Sequence, residues 1–161
     1  MDSKLVLKIF IEPNGKRPSI GKVGDAAYDV YANITNPIIV HQFDQVKIPL
    51  GFHIAPFVVK RGLLAESTDF WFEIKNRSGV GTKSGMVELC SVIDSSYRGE
   101  PHWCAAKITS GEYIIYPGDK IAQLLIHPFV DPHWVNVEIV DTLEELGITS
   151  RGSSGFGGSG K

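Results

Sequence analysis

Apolar and polar positions trade places at period two, or merge into short β-branched runs, through most of this chain. The runs fall at 5–11, 37–40, 46–49, 52–55, 70–74, 103–108, 112–116, 120–127 and 134–140, and each predicts a strand. Glycine and proline punctuate them at Pro13-Asn14-Gly15, Pro49-Leu50-Gly51, Gly99 and Pro117-Gly118. Many short strands divided by such turns predict an all-β sandwich or barrel of jelly-roll type. Helix is confined to a short turn over 79–85 and a weaker candidate over 143–146. Beyond Gly147 the apolar pattern stops. A folded body over 1–147 and a flexible glycine-rich arm over 148–161 are therefore expected.

Composition changes this picture little. A chain of 161 residues makes one domain and buries roughly two-thirds of its unfolded surface. A net charge of −2 argues against stable nucleic-acid binding, and no apolar run is long enough for a membrane helix. The first residues run straight into a strand pattern without the layout of a secretory leader, so a cytoplasmic setting is expected, or a nuclear or host-cytoplasmic one for a viral chain. Cys90 and Cys104 form no C-x-x-C pair, and reduced thiols are the simpler reading. The five histidines show no ligand spacing, which excludes a protein-held zinc site of the usual kind.

Five stretches are too polar or too glycine-rich for their positions in a β protein. In Gly24-Asp-Ala-Ala-Tyr-Asp-Val-Tyr-Ala32, Asp29 interrupts an apolar strand, so it sits at a turn or pairs with a cation. In Asn76-Arg-Ser-Gly-Val-Gly-Thr-Lys-Ser-Gly85, a hydroxyl and a glycine open a short helix and can face an anion, although Ser-Gly is also a common turn. In Ser91-Val-Ile-Asp-Ser-Ser-Tyr-Arg-Gly-Glu100, Asp94 follows two apolar residues abruptly. It could deprotonate a water beside an electrophile while Tyr97 packs on a sugar. An ordinary hairpin with an Asx turn is the plainer alternative. In Pro117-Gly-Asp-Lys-Ile-Ala-Gln-Leu-Leu-Ile126, the Gln123 amide needs a partner, either backbone or ligand. The arm, Arg151-Gly-Ser-Ser-Gly-Phe-Gly-Gly-Ser-Gly-Lys161, has the composition of a linker. It also has the chemistry of a lid, with an aromatic for a flat ring, glycine N–H groups for phosphate, and an arginine for negative charge.

Taken in order, these five stretches resemble the five motifs of the homotrimeric dUTP diphosphatases (dUTPases), from about residue 24 to the C-terminus. The resemblance implies a jelly-roll trimer with three shared active sites that hydrolyses dUTP to dUMP and pyrophosphate. It implies Mg²⁺ held by phosphate oxygens and water, with no protein ligand to the metal. Carried over by position, Asp94 is the general base, and Asp29 organises the site around water and metal. Tyr97 stacks on the deoxyribose. Ser78 and Gly79 contact the phosphates, with Arg77 and Gln123 beside them. Arg151 reaches the terminal phosphate, Phe156 covers the base with Gly157 beside it, and Ser159 clamps the triphosphate.

Several positions depart from the family pattern. Asn76 stands where the second motif has proline, Ala27 and Ser154 where glycine is common, Ser96 where an acid is frequent, and Gly158 where serine is. The hairpin before Asp94 reads Glu88-Leu89-Cys90-Ser91, without glycine or asparagine. A Glu88 carboxylate aimed at the base would accept from the cytosine amino group and could not donate to uracil O4. If Glu88 faces elsewhere, backbone groups still read uracil. The segment 57–69 is extra length, read as an enlarged surface loop or hairpin.

Two other functions remain to weigh. One is a pyrophosphatase for dCTP or a modified pyrimidine deoxynucleoside triphosphate, and the other a non-catalytic nucleotide-sensing trimer. The third and fourth stretches are also similar in part to the dCTP deaminases, which place a catalytic glutamate on the strand after the Asp94 hairpin. Here that strand reads Trp103-Cys104-Ala105-Ala106, without a carboxylate, and deamination is disfavoured.

Overall fold

The computed structural model describes residues 4–60, 63–130, 135–147 and 149. These fall into two units, 1–130 and 131–161. In the first unit the strands are β1 Lys4–Ile11, β2 Tyr28–Tyr31, β3 Ile38–Val40, β4 Gln45–Pro49, β5 Phe52–Lys60, β6 Leu63–Glu66 and β7 Phe70–Asn76. The helix α1, Ser78–Ser84, follows, then β8 Met86–Cys90, β9 Val92–Ile93, β10 His102–Lys107, β11 Tyr113–Ile115 and β12 Lys120–Pro128. They build four small sheets ordered β1-β5-β6, β4-β10-β8, β11-β3 and β2-β12-β7-β9. The fold is the mostly-β, jelly-roll type that the alternation predicts.

One face of most strands supplies the core, β6 being exposed throughout. On β10, Trp103, Ala105 and Lys107 point inward while His102, Cys104 and Ala106 are half-buried. Trp103, Phe52, Phe72, Ile74, Ile121 and Leu124 fill the centre of one contiguous cluster. The buried Trp103 ring keeps a polar partner, its Nε1 donating to Asn76 Oδ1 at 2.8 Å. Lys107 is buried too. Its ammonium donates to Ser84 O at 2.9 Å, Thr109 Oγ1 at 2.9 Å and Ser110 O at 3.2 Å, which satisfies all three protons.

The expected helix over 79–85 is α1, and it ends where Gly85 takes φ 64, a left-handed conformation suited to glycine. Most of the extra segment takes the hairpin form expected of it, with β5 continuing to Lys60 and β6 returning along it. Two differences from expectation share one cause. The strands β8 and β9 carry exposed apolar residues such as Val87, Leu89 and Val92, and no clean alternation marks them. Conversely, Val135, Val137 and Ile139 alternate, yet described residues 135–140 form no strand and all three side chains are exposed. Alternation specifies faces. A strand also needs a ladder partner, which a local pattern does not contain.

In the second unit, Glu144–Leu146 forms a 3₁₀ turn at the weaker helix candidate. The proposed arm, residues 148–161, lies outside the described residues apart from Thr149. Among the described residues no helix is long and apolar enough to cross a membrane.

Candidate functional site

The β2-β12-β7-β9 sheet carries the site, and the pairing register explains its layout. Gln123 on β12 faces Asp29 on β2 and Lys75 on β7, so three separate sequence segments meet across one face. A bulge between Lys120 and Ala122 breaks the β12–β2 ladder there. It lets both Ile121 and Ala122 bury while Lys120 turns toward Asp29.

Asp29 is the most constrained of the predicted residues. It is buried, with Oδ1 3.0 Å from Arg77 Nε and Oδ2 2.9 Å from Lys120 Nζ. Of the two alternatives left by the sequence, pairing with a cation is the one realised, twice over. Arg77 is fixed further by donating through Nη1 to Lys120 O at 3.2 Å. The Asp29 hydrogen bond, followed by its charge, raises the Lys120 ammonium above its usual pKa and keeps it protonated. Asp29, Arg77, Lys120, Lys75 and Gln123 line one open cavity of about 530 Å³. The Gln123 amide has no hydrogen-bond partner among the described residues.

Asp94 and Tyr97 line a different cavity, of about 360 Å³, together with Ile74, Ile93, Cys90, Cys104 and His102. Both volumes suit a small ligand. The Asp94–Tyr97 turn closes through Tyr97 N–H donating to Asp94 O at 3.1 Å, which leaves the exposed Asp94 carboxylate without a hydrogen-bond partner among the described residues. Gly99 is dictated by this turn, since a Cβ there would meet the Tyr97 phenol oxygen at 2.2 Å. On β7, Ile74 borders this cavity and Lys75 the other. The two cavities therefore share β7 as a common wall.

Ser78 and Gly79 sit at the exposed start of α1 and line neither cavity. A Cβ on Gly79 would meet nothing within 4 Å, so nothing described in the chain asks for glycine there. Arg151, Phe156, Gly157 and Ser159 lie outside the described residues.

The departures at Asn76 and Glu88 turn out to be partners. Glu88 Oε1 is 2.5 Å from Lys75 Nζ, and Oε2 accepts the Asn76 N–H at 2.8 Å. Asn76 Nδ2 in turn donates to Met86 O at 2.8 Å. The Glu88 hydrogen bond is the main reason the Lys75 pKa is raised. Glu88 therefore faces away from the cavity of Asp94 and belongs to the strut between β7 and β8. Sequence reading missed Lys75 and Lys120 as cations of the site, although Lys120 stands inside the Gly118-Asp119-Lys120 stretch that was singled out.

The dUTPase family model matches residues 14–160. The chain belongs to the dUTPase family. It is similar to a deoxyuridine 5'-triphosphate nucleotidohydrolase of Wolbachia pipientis subsp. Culex pipiens, 34% identical over 146 residues that cover 89% of this chain and 86% of that protein. A second relative of that description, from Chlamydia trachomatis serovar D, is 31% identical over 159 residues, covering 96% and 99%. Among solved dUTPases, a Staphylococcus bacteriophage 80alpha mutant with dUpNHpp superposes with a TM-score of 0.72 at 21% identity, covering 97% of this chain and 99% of that one. A mutant from phage phi11 of S. aureus, described with a structural Mg(II) ion, gives 0.66 at 19% identity over 86% and 99%. Those two likenesses establish the dUTPase fold.

Proposed function

We propose that this member of the dUTPase family hydrolyses dUTP to dUMP and pyrophosphate by attack of water on the α-phosphorus. The observation that carries the reading is the division of labour between the two cavities. One holds, beside an aromatic, a carboxylate without a hydrogen-bond partner among the described residues, and the other holds Arg77, Lys120, Lys75 and an amide likewise unpartnered among them. A general base and a triphosphate's charge neutralisation are both required for this chemistry. Neither cavity of one chain supplies both. Copies of the chain that bring one subunit's Asp94 face against another's Arg77 face would complete the site, which supports the homotrimer with shared sites.

In this reading Asp94 deprotonates the attacking water and Tyr97 packs on the deoxyribose. Arg77 and Gln123 meet the phosphates. Asp29 acts through Arg77 and Lys120, because both of its oxygens are engaged by those two cations. Gly79 is open on its Cβ side, which suits a phosphate approaching the backbone near Ser78. Arg151, Phe156, Gly157 and Ser159 would close over the nucleotide. Among the described residues no three side chains of ligating type converge on a metal position. A Mg²⁺ would be carried by phosphate oxygens and water, where it would neutralise triphosphate charge. The engagement of Glu88 by Lys75 and Asn76 supports uracil over cytosine, since it removes the one carboxylate proposed to read the cytosine amino group.

The test is pyrophosphate release from dUTP and dCTP side by side, with and without Mg²⁺. Turnover of dUTP well above dCTP is expected, and its abolition in Asp94→Asn identifies the base. A strong preference for dCTP, or unchanged turnover in that variant, overturns the reading.

A further inference from the structure

The turn that carries Asp94 and Tyr97 is held from behind by its own Arg98 and by residues outside all five motifs. Arg98 folds back on the turn, its Nη1 donating to Ser95 O at 2.6 Å and Tyr97 O at 2.9 Å, while Nη2 pairs with Glu66 on β6. The carbonyl of Arg98 is 2.8 Å from Nδ1 of His53 on β5. The other ring nitrogen, Nε2, is 2.6 Å from Glu12 Oε1. Glu12 is itself fixed, its N–H donating to Gly51 O at 3.0 Å, and Gly51 N–H donates to Glu100 Oε1 at 2.7 Å. His53 thus spans the gap between the β1–β5 pair and the turn.

A backbone carbonyl and a carboxylate only accept hydrogen bonds, so this arrangement asks both ring nitrogens to donate. Only the imidazolium does so. The charged groups acting on the ring are the Glu12 and Glu100 carboxylates, and the Phe10 ring lies 5.7 Å away, tilted by 57°. The bond to the Arg98 carbonyl, then the bond to Glu12, raises the His53 pKa above 6.5.

We propose that His53 is a positioning residue for the turn 94–99, its Nδ1–H fixing the Arg98 carbonyl and thereby the seat of Tyr97, with Glu12 as the anchor on the opposite side. The functional part of this proposal rests on the reading of the site as one that binds and hydrolyses dUTP. The hydrogen-bond geometry stands without it.

Two amide side chains separate the contacts. The asparagine amide nitrogen lies as many bonds from the backbone as Nδ1, and the glutamine nitrogen as many as Nε2. His53→Asn keeps the donor to Arg98 and loses Glu12, His53→Gln does the reverse, and His53→Ala loses both. KM and kcat for dUTP, melting temperature and hydrogen exchange of amides 95–99 are measured on the full chain at about pH 6, where the wild-type ring is charged. Loss of one such bond predicts a KM about fivefold higher in H53A and H53Q, with kcat changed less and melting little altered. H53N keeps a wild-type KM, and its turn amides stay protected while those of H53A and H53Q exchange faster. A wild-type KM in H53Q, or an H53N as impaired as H53A, overturns the proposal. If the wild-type chain hydrolyses no dUTP, the functional reading fails on its own, and the exchange rates still decide the strut. Equal exchange in H53N and H53Q then overturns it.

Discussion

Ile74 and Lys75 are neighbours on β7, yet one borders the cavity of Asp94 and the other the cavity of Asp29. The proposed base and the proposed phosphate cations thus line separate cavities within each chain.

This separation predicts complementation. Asp94→Asn and Arg77→Ala each abolish turnover as pure proteins. When the two are unfolded together and refolded, activity returns to about a quarter of wild type, since that share of shared sites regains both intact halves in a randomly mixed ring. Sites contained within one chain would show no recovery, and an activity assay of the mixture decides between them.

Glycine at position 79 is required by nothing described within the chain, so activity and stability should part company there. Gly79→Ala is expected to leave the melting temperature unchanged or to gain up to about 1 kcal/mol from helix propensity. The added methyl should lower kcat/KM at least about tenfold by blocking close approach of phosphate. Gly99→Ala differs in kind, because its Cβ meets the Tyr97 phenol and that side chain must shift. Melting curves alongside kinetics for both variants separate the two effects.

Glu88 is held by Lys75 and by the N–H of Asn76. Glu88→Ala leaves that N–H without its acceptor and is expected to lower the melting temperature by about 2–4 °C. The ratio of dUTP to dCTP turnover stays as in the wild type. A variant that changes this ratio while keeping its stability would place the carboxylate at the base after all.

His53 also predicts a pH dependence of stability, with a definite sign. Its pKa is raised in the folded chain above 6.5, so its contribution is fully present below pH 6.5 and is lost as pH rises through the folded value. The wild-type melting temperature should fall by a few degrees at most across that window, about the cost of one partly exposed hydrogen bond. Because asparagine does not titrate there, His53→Asn should lack that part of the fall. Parallel melting curves from about pH 6 to about pH 9 measure it.

Much of the fold was legible because burial writes itself into alternation. On β7 the buried Phe72 and Ile74 alternate with the more accessible Glu73 and Lys75, as the period-two pattern requires. The ordered motifs also drew Asp29, Arg77, Gln123, Asp94 and Tyr97 from one string of residues. Partners between distant segments were not legible. Nothing in the sequence near Glu88 indicates Lys75, nothing near His53 indicates Arg98, and the role of the added hairpin appears only where Glu66 meets Arg98. The pattern at Val135, Val137 and Ile139 misled for the same reason, since it marks a face without naming what would lie beside it.

The buried Lys107 ammonium binds Ser84 O and the Thr109–Ser110 loop, so one cation staples together both ends of the stretch from Ser84 to Ser110. Everything from β8 through the Asp94 turn to β10 lies between those ends, and it sends Met86, Ile93, Trp103 and Ala105 into the core. The span is tied at its base and bolted through its middle. An insertion or deletion within its strands would therefore disturb the interior of the protein together with the turn.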